Sequence, residues 1–330
     1  MEYRLFKNTD LKISTITFGA WAIGGWMWGG ADRNDALDAI DAAIDAGITT
    51  IDTAPVYGFG QSEEIVGQAI KGKRDKLQIL TKYGLRWDDT KGQHFFKSTS
   101  NEGSPIDIYK YAGKESVIRE CEFSLKNLGT DYIDLYQIHW PDPTTPIQEA
   151  MEAMDILIKQ GKVRHAGVCN FDAQLLADTL KYHPIISNQV PYSMVKRDIE
   201  DKLIPYCLKN NIGILAYSPL QRGILTGKIV NGHRFNPGDT RPTTPYYKEP
   251  NLSRIIAFTE SIQPIAEAHQ ATIGQVVINW TIQQPCITSA LVGARNRIQV
   301  NDNVKAVDFM LTKEELAEIN LKLENLIIEN

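Results

Sequence analysis

A chain of 330 residues, 43% hydrophobic and 23% charged, has the balance of a globular protein with ample material for a core. Its formal net charge of −5 leaves no basic footprint for nucleic acid, no uncharged run approaches the roughly 18 residues that cross a bilayer, and no basic patch with a small-residue cleavage site marks the N-terminal stretch as a signal peptide. The four cysteines, Cys121, Cys169, Cys207 and Cys286, are widely spaced and form no CxxC pair, which speaks against a disulfide framework or zinc knuckle and for a reducing, cytoplasmic setting.

The opening segments EYRLF and LKISTI, joined by the turn KNTD, predict a β-hairpin. Strands are then expected at ISTITFGA, ITTIDTA, LQILTKY, IDLYQIHW, VRHAGVCNF, IISNQV, IGILAYS and TSALVGA, with the continuous apolar character of strands buried on both faces. Helical patterns separate them, among them NDALDAIDAAIDAG, SEEIVGQAIKG, KESVIRECEFSLKNLG, PIQEAMEAMDILIKQG and DKLIPYCLKNN. Gly47, Gly129 and Gly161 stand where a left-handed residue ends a helix, and TKEE at Thr312 offers a capping box to a final helix. Eight strand–helix units with no linker or low-complexity break predict one α/β domain over 1–330. The expected fold is a (β/α)₈ TIM barrel whose N-terminal hairpin caps the bottom. Three long connections, Trp21 to Asn34, Leu85 to Gly113 and Pro219 to Pro250, each follow a strand and belong on the C-terminal face, where such barrels build their sites.

The ends of the predicted strands carry Trp21, Asp52, Lys82, His139, Asn170, Gln189, Tyr217 with Ser218, and Gly293 with Arg295. Polar groups at every rim position are costly to desolvate unless they pair or serve a ligand. Each has a structural explanation taken singly; their joint placement points to chemistry. A free phenol ionises near 10, and a neighbouring ammonium lowers that value. A carboxylate beside the ammonium keeps it charged where burial would neutralise it. Asp52, Lys82 and Tyr57 supply these three parts, with the lysine of the next strand fitting between carboxylate and phenol, and His139 adds a neutral donor able to orient an oxygen.

IDTAPVYGFGQSEE, ILTKYG, TDYIDLYQIHWPDP, GKVRHAGVCNF, LAYSPLQRGILTGK and LVGARN, in this order along essentially the whole chain, resemble the successive signatures of the aldo-keto reductase superfamily, most nearly its bacterial stress-associated and potassium-channel-β-like branches. The resemblance implies a barrel that binds a nicotinamide cofactor without a Rossmann domain. It further implies a carbonyl reductase in which Tyr57 is the general acid/base, assisted by Lys82, Asp52 and His139. By the same resemblance Ala20, Trp21, Asp52, Cys169, Asn170 and Gln189 belong to the nicotinamide end, Asn170 and Gln189 holding the carboxamide and Tyr217 stacking on the ring. Ser218, Leu220, Gly223 and Lys228 would wrap the pyrophosphate, and Gly293, Ala294, Arg295, Gln299 and Asn303 would grip the adenosine end.

Two positions depart from the family pattern: Cys169 stands in place of a serine, and Gln299 in place of an arginine that pairs with a 2′-phosphate. With Arg295 and Arg297 able to substitute, NADPH is expected over NADH. Aromatic residues on rim segments (Trp21, Trp26, Trp28, Trp87 and Trp140, with Tyr57 and His139 at the centre) suit an aldehyde, ketone or sugar carbonyl. The connection after Lys82 adds His94, Phe95 and Phe96. GFGQSE lacks the third glycine of a dinucleotide loop, and the six histidines are scattered rather than arranged as metal ligands. A cofactor-binding sensor or regulatory subunit with slow turnover is the alternative to an enzyme, and either a monomer or a small homo-oligomer is compatible with the surface.

Overall fold

The computed structural model describes residues 1–230, 232–236 and 238–329. Eight parallel strands close into a barrel: β1 (Ile16–Gly19), β2 (Thr50–Asp52), β3 (Gln78–Tyr83), β4 (Ile133–Ile138), β5 (Val163–Cys169), β6 (Ser187–Pro191), β7 (Gly213–Tyr217) and β8 (Ile287–Gly293). Each pairs with its sequence neighbours, and β8 returns to β1 through Gly293 opposite Gly19. All eight coincide with strands expected from the sequence.

The period of two along a strand explains how the barrel is filled. Leu80, Leu135, Leu215 and Leu291 point inward and form one apolar cluster with Phe6, Leu11 and Ile13 of the N-terminal hairpin. Two residues further along the same strands come Lys82, Gln137, Tyr217 and Gly293, so a polar layer sits directly on an aliphatic floor. The hairpin (Tyr3–Leu5 paired with Lys12–Ser14) closes the bottom, as expected. Arg4 Nη1 donates to the carbonyls of Ile282 and Ile287, both at 2.7 Å, and ties it to the start of β8. The Phe6 ring lies where a β-carbon on Gly213 would come within 2.5 Å of it, which is why the first residue of β7 is glycine.

Helices wrap the outside. α1 (Arg33–Asp45) is capped by Asp32, whose Oδ1 accepts from the N–H groups of Asn34 and Asp35 at 2.8 and 2.9 Å. α2 (Gln61–Ile70), α3 (Lys114–Leu128), α4 (Ile147–Lys159) and α6 (Leu203–Asn210) match expected patterns, with α5 (Ala173–Thr179) between the last two. Gly47, Gly129 and Gly161 all have positive φ. The C-terminal helix Lys313–Glu324 has the anticipated capping box between Thr312 and Glu315. The helix Ile273–Gln283 was not evident in the sequence because Gly274 to Ile282 are buried on every side, which leaves no polar stripe to read. No helix among the described residues is long and apolar enough to cross a membrane.

Of the three long connections, the second is structured. Leu85–Arg86, Gln93–Thr99 and Pro105–Lys110 form an antiparallel three-stranded sheet standing on the C-terminal face. Asn101 at its tip donates to the Gly58 carbonyl at 3.2 Å and to Gln61 at 2.7 Å, pinning it to the turn that carries Tyr57. At its base the buried Arg86 meets Glu120 at 3.2 Å.

Phe6→Ala removes the ring that seals the bottom of the barrel. The expected loss is about 3–5 kcal/mol of unfolding free energy, read as a lowered urea midpoint at unchanged slope. A midpoint equal to wild type would show that the aliphatic floor closes without it.

Candidate active site

Asp52 ends β2 opposite Leu80 and therefore points inward. Lys82, one pleat higher on β3, reaches back to it: Nζ donates to Asp52 Oδ1 at 2.6 Å and to the Thr53 carbonyl at 2.8 Å. Its side chain has no solvent exposure, and that of Asp52 only 3%. The second carboxylate oxygen accepts from Gln189 Nε2 at 2.8 Å and from Gln137 Nε2 at 3.3 Å. Gln137 was not singled out in the sequence, although its place two residues before His139 puts it on the same inward face.

Tyr57 hangs over this pair from the β2–α2 turn, its ring centre 4.9 Å from Lys82 Nζ. Trp21 stacks on one side at 6.1 Å, and His139 meets it edge-on at 5.7 Å. The turn is held by close backbone contact with the segment after β1. A β-carbon on Gly58 would fall 2.4 Å from the Gly24 carbonyl oxygen, and one on Gly24 would fall 2.8 Å from that of Tyr57. Only glycine allows both approaches, and Gly58 also has φ +68°.

The electrostatics follow from burial. Dehydration pushes Tyr57 up to about 12; the Lys82 ammonium pulls the other way but does not overcome it. The expectation of a net-lowered phenol is therefore corrected: the lysine is in place, yet burial of the phenol among its neighbours is the larger effect. Burial also works against the Lys82 ammonium, but Asp52 and then Tyr57 outweigh it, and its pKa is raised. Burial, reinforced by Lys82, holds His139 well below the usual imidazole range, so its ring is neutral. Burial raises the Cys169 thiol.

Asp52, Tyr57, His139 and Cys169 line one side of a cleft of 490 Å³ that runs from the end of β1 past the β7 turn to the segment after β8. Every position expected to hold cofactor lies on its wall: Ala20, Trp21, Asp52, Cys169, Asn170, Gln189, Tyr217, Ser218, Leu220, Gly223, Lys228, Gly293, Ala294, Arg295, Gln299 and Asn303. Several are already engaged. Asn170 Nδ2 donates to the His139 carbonyl at 3.0 Å while its Oδ1 accepts from the Tyr217 hydroxyl at 2.9 Å. Gln189 spends its amide nitrogen on Asp52. Lys228 Nζ is 3.0 Å from Asp302. Buried donors without acceptors on this wall, the indole nitrogens of Trp21 and Trp28 and Nε of Arg222, fit a ligand rich in acceptor oxygens.

The aromatic wall needs two corrections. Trp28 and Trp140 line the cleft, but Trp87 does not; it packs outward on Phe59 and Phe123, at 5.5 and 6.1 Å. Its place beyond the strand end said nothing of which way the chain turns. Trp26, Phe95 and Phe96, expected with the rim aromatics, do line it, and Trp26 Nε1 donates to Ser98 Oγ at 2.9 Å. His94 points away and pairs with Asp107 at 2.7 Å.

Beside Arg295 and Gln299 an adjoining recess of 360 Å³ is lined also by Asp32, Asp35 and Asn296 among others. Arg297, expected to be able to replace the missing arginine, is turned onto α1, where it grips Asp38 through Nε and Nη2 at 2.7–3.1 Å. Gln299 Oε1 accepts from the Arg295 N–H at 2.8 Å.

Asp52→Asn strands the Lys82 ammonium without its counter-ion. Urea unfolding should show a loss of about 3–5 kcal/mol, and the double variant Asp52→Asn/Lys82→Met should recover most of it, because the uncompensated charge rather than the missing contact causes the loss. A double variant no better than the single one would contradict this.

The family model described as "Aldo/keto reductase family" matches residues 15–324. Among curated proteins the chain is 38% identical over 330 residues to the aldo-keto reductase YhdN of Bacillus subtilis, covering 99% of this chain and 95% of that one. It is 37% identical over 311 residues to the NADH-specific methylglyoxal reductase of Escherichia coli, covering 92% and 93%. Among solved structures the glycerol dehydrogenase AKR11B4 of Gluconobacter oxydans superposes with a TM-score of 0.88 at 35% identity, covering 99% and 97%. With sequence and barrel in agreement from end to end, this chain belongs to the aldo/keto reductase family of NAD(P)H-dependent oxidoreductases.

Proposed function

We propose that the chain reduces small, oxygen-rich carbonyl compounds, with Tyr57 as the proton donor. The observation that carries this reading is the convergence of Lys82, Asp52 and His139 on the Tyr57 phenol at the closed end of the cleft. When bound, the nicotinamide supplies the hydride accepted by the carbonyl carbon. The protein's task is then to bind the carbonyl oxygen, donate one proton to it and tolerate the phenolate that remains. A phenol raised to about 12 is fully protonated at neutral pH and ready to donate. The Lys82 ammonium, fixed by Asp52, lowers the cost of the phenolate left behind. The neutral imidazole of His139 orients the oxygen without competing for its charge.

The apolar wall of Trp21, Trp28, Trp140, Phe95 and Phe96 leaves few groups to bind long polar chains, which supports a short substrate. The Escherichia coli relative is named for methylglyoxal and the Gluconobacter protein for glycerol, and both are three-carbon compounds rich in oxygen. The complete assembly of all four groups favours turnover over a purely sensing role.

The expectation of NADPH rested on two arginines. With Arg297 committed to Asp38, a 2′-phosphate in the recess would meet Arg295 together with the carboxylates of Asp32 and Asp35. We therefore read the chain as using NADH at least as well as NADPH.

Tyr57→Phe should lower turnover by roughly 10²–10⁴-fold while the Kd for NADH, measured by calorimetry, stays within about twofold. Equal rates in the two proteins would remove the acid role from Tyr57. Because the phenol stays protonated well above neutrality, the rate of carbonyl reduction at saturation should be flat from about pH 6 to pH 9, since a raised pKa moves loss of the donor to still higher pH. A fall in that window tracking one ionisation would count against a phenol held this high. For the cofactor, kcat/KM with NADH should equal or exceed that with NADPH, and Arg295→Ala should depress the NADPH value by about tenfold with little change for NADH. A strong NADPH preference would reverse the reading.

A further inference from the structure

Two of the four thiols meet at the bottom of the barrel, at the end opposite the cleft. Cys207 lies on α6, and Cys286 is the residue before β8. Both grip Ile212, just ahead of β7. Its N–H donates to the Cys207 carbonyl at 2.9 Å, and its carbonyl accepts from Cys286 Sγ at 3.3 Å. The Cys286 carbonyl in turn accepts from the Ile214 N–H at 3.0 Å. Held to the same short stretch of chain, the two sulfurs are hydrogen-bonding neighbours, Cys207 donating to Cys286.

The two differ in reach. Cys207 is fully buried, while Cys286 is half-buried and follows the exposed Pro285. Cys286 also holds a left-handed backbone, with φ 69°, which a residue other than glycine keeps only when its surroundings impose it. The bond from Cys207 draws its pKa below the ordinary thiol value; the Ile214 N–H and the Lys7 ammonium of the hairpin turn add to this, and burial opposes them. The same bond, together with burial, holds Cys207 above that value. The other two thiols are placed differently. Cys121 and Cys169 are buried, and burial pushes both up. A reachable sulfur of thiolate character beside a second, buried thiol is the arrangement that peroxide oxidises selectively.

We infer that Cys286 and Cys207 form a dithiol that hydrogen peroxide converts to a disulfide, Cys286 attacking and Cys207 resolving. In the first step the Cys286 thiolate attacks one peroxide oxygen: an S–O bond forms, the O–O bond breaks, and the departing hydroxide takes up a proton to leave as water. In the second, Cys207 gives up its proton and attacks the sulfur of the Cys286 sulfenic acid. The S–S bond forms, the S–O bond breaks, and the hydroxyl leaves with that proton as a second water. The two thiols lose two electrons and the peroxide gains them. The new bond closes a loop of roughly 80 residues. It joins α6 to the entry of β8 across the start of β7, beside the register shift between Ile214 and Leu215 in the β7–β8 pairing. Neither cysteine lines the cleft. Oxidation therefore staples the scaffold at its foot and leaves the walls of the site alone.

The test uses the reduced full chain with hydrogen peroxide as the probe. Its intact mass should fall by about 2 Da, a peptide map should show Cys207 joined to Cys286, and two of the four thiols should remain titratable after unfolding. The oxidised protein should melt roughly 5 °C higher than the reduced one and return to the lower value on adding dithiothreitol. Cys286→Ser should form no bond under the same treatment. Cys207→Ala should stop at the sulfenic acid, captured on Cys286 by the 1,3-diketone dimedone; should that variant fail to fold, the wild-type map alone decides the pairing. Four thiols left intact, a linkage between any other pair or between two chains, or oxidation falling first on Cys121 or Cys169 would sink the inference. A Cys207–Cys286 bond that leaves the melt unchanged would overturn the staple.

Discussion

An ammonium with no solvent exposure persists at the centre of the barrel because Asp52 and the Thr53 carbonyl meet it at 2.6 and 2.8 Å. Taken from water alone, such a charge would neutralise or unfold its surroundings. Held this way it becomes a fixed positive point, and the neighbouring groups take their properties from it. It helps keep His139 neutral, and it opposes the burial that raises the Tyr57 phenol. Gln137 and Gln189 complete the arrangement by holding the other oxygen of Asp52, so the carboxylate cannot rotate away from its partner.

The loops around this centre are themselves interlocked. Asn101 fixes the added sheet to the Tyr57 turn, Trp26 joins it to the segment after β1, and Trp28 (paired with Asp239) and Met27 (accepting from Arg222) carry the connection on to the long excursion after β7. Three segments far apart in the chain therefore share one wall. A change in any of them reaches the others through named contacts rather than through a general loosening.

The barrel was legible because its strands are buried on both faces and its helices on one, two patterns that differ in period. The meeting of Asp52, Lys82, Tyr57 and His139 was legible because each sits at a strand end or in the turn just beyond one. What escaped depends on pairing at a distance. Arg297 meets Asp38 across 259 positions, which nothing local announces. Trp87 turned out to face away from the cleft because the connection after β3, read as irregular chain, folds into a sheet, although HFFKST and IDIYK alternate as strands do. The sign of the Tyr57 shift depended on how deeply the assembled walls bury the phenol.

The aliphatic floor has a consequence for how the centre is reset between cycles. Leu80, Leu135, Leu215 and Leu291, stoppered by Phe6, lay an apolar layer beneath the buried lysine. In the proposed reaction, the hydrogen ion that the phenol gives up would be replenished from above, through the same mouth by which reactants come and go. Refilling the donor and clearing the product thus share a single doorway.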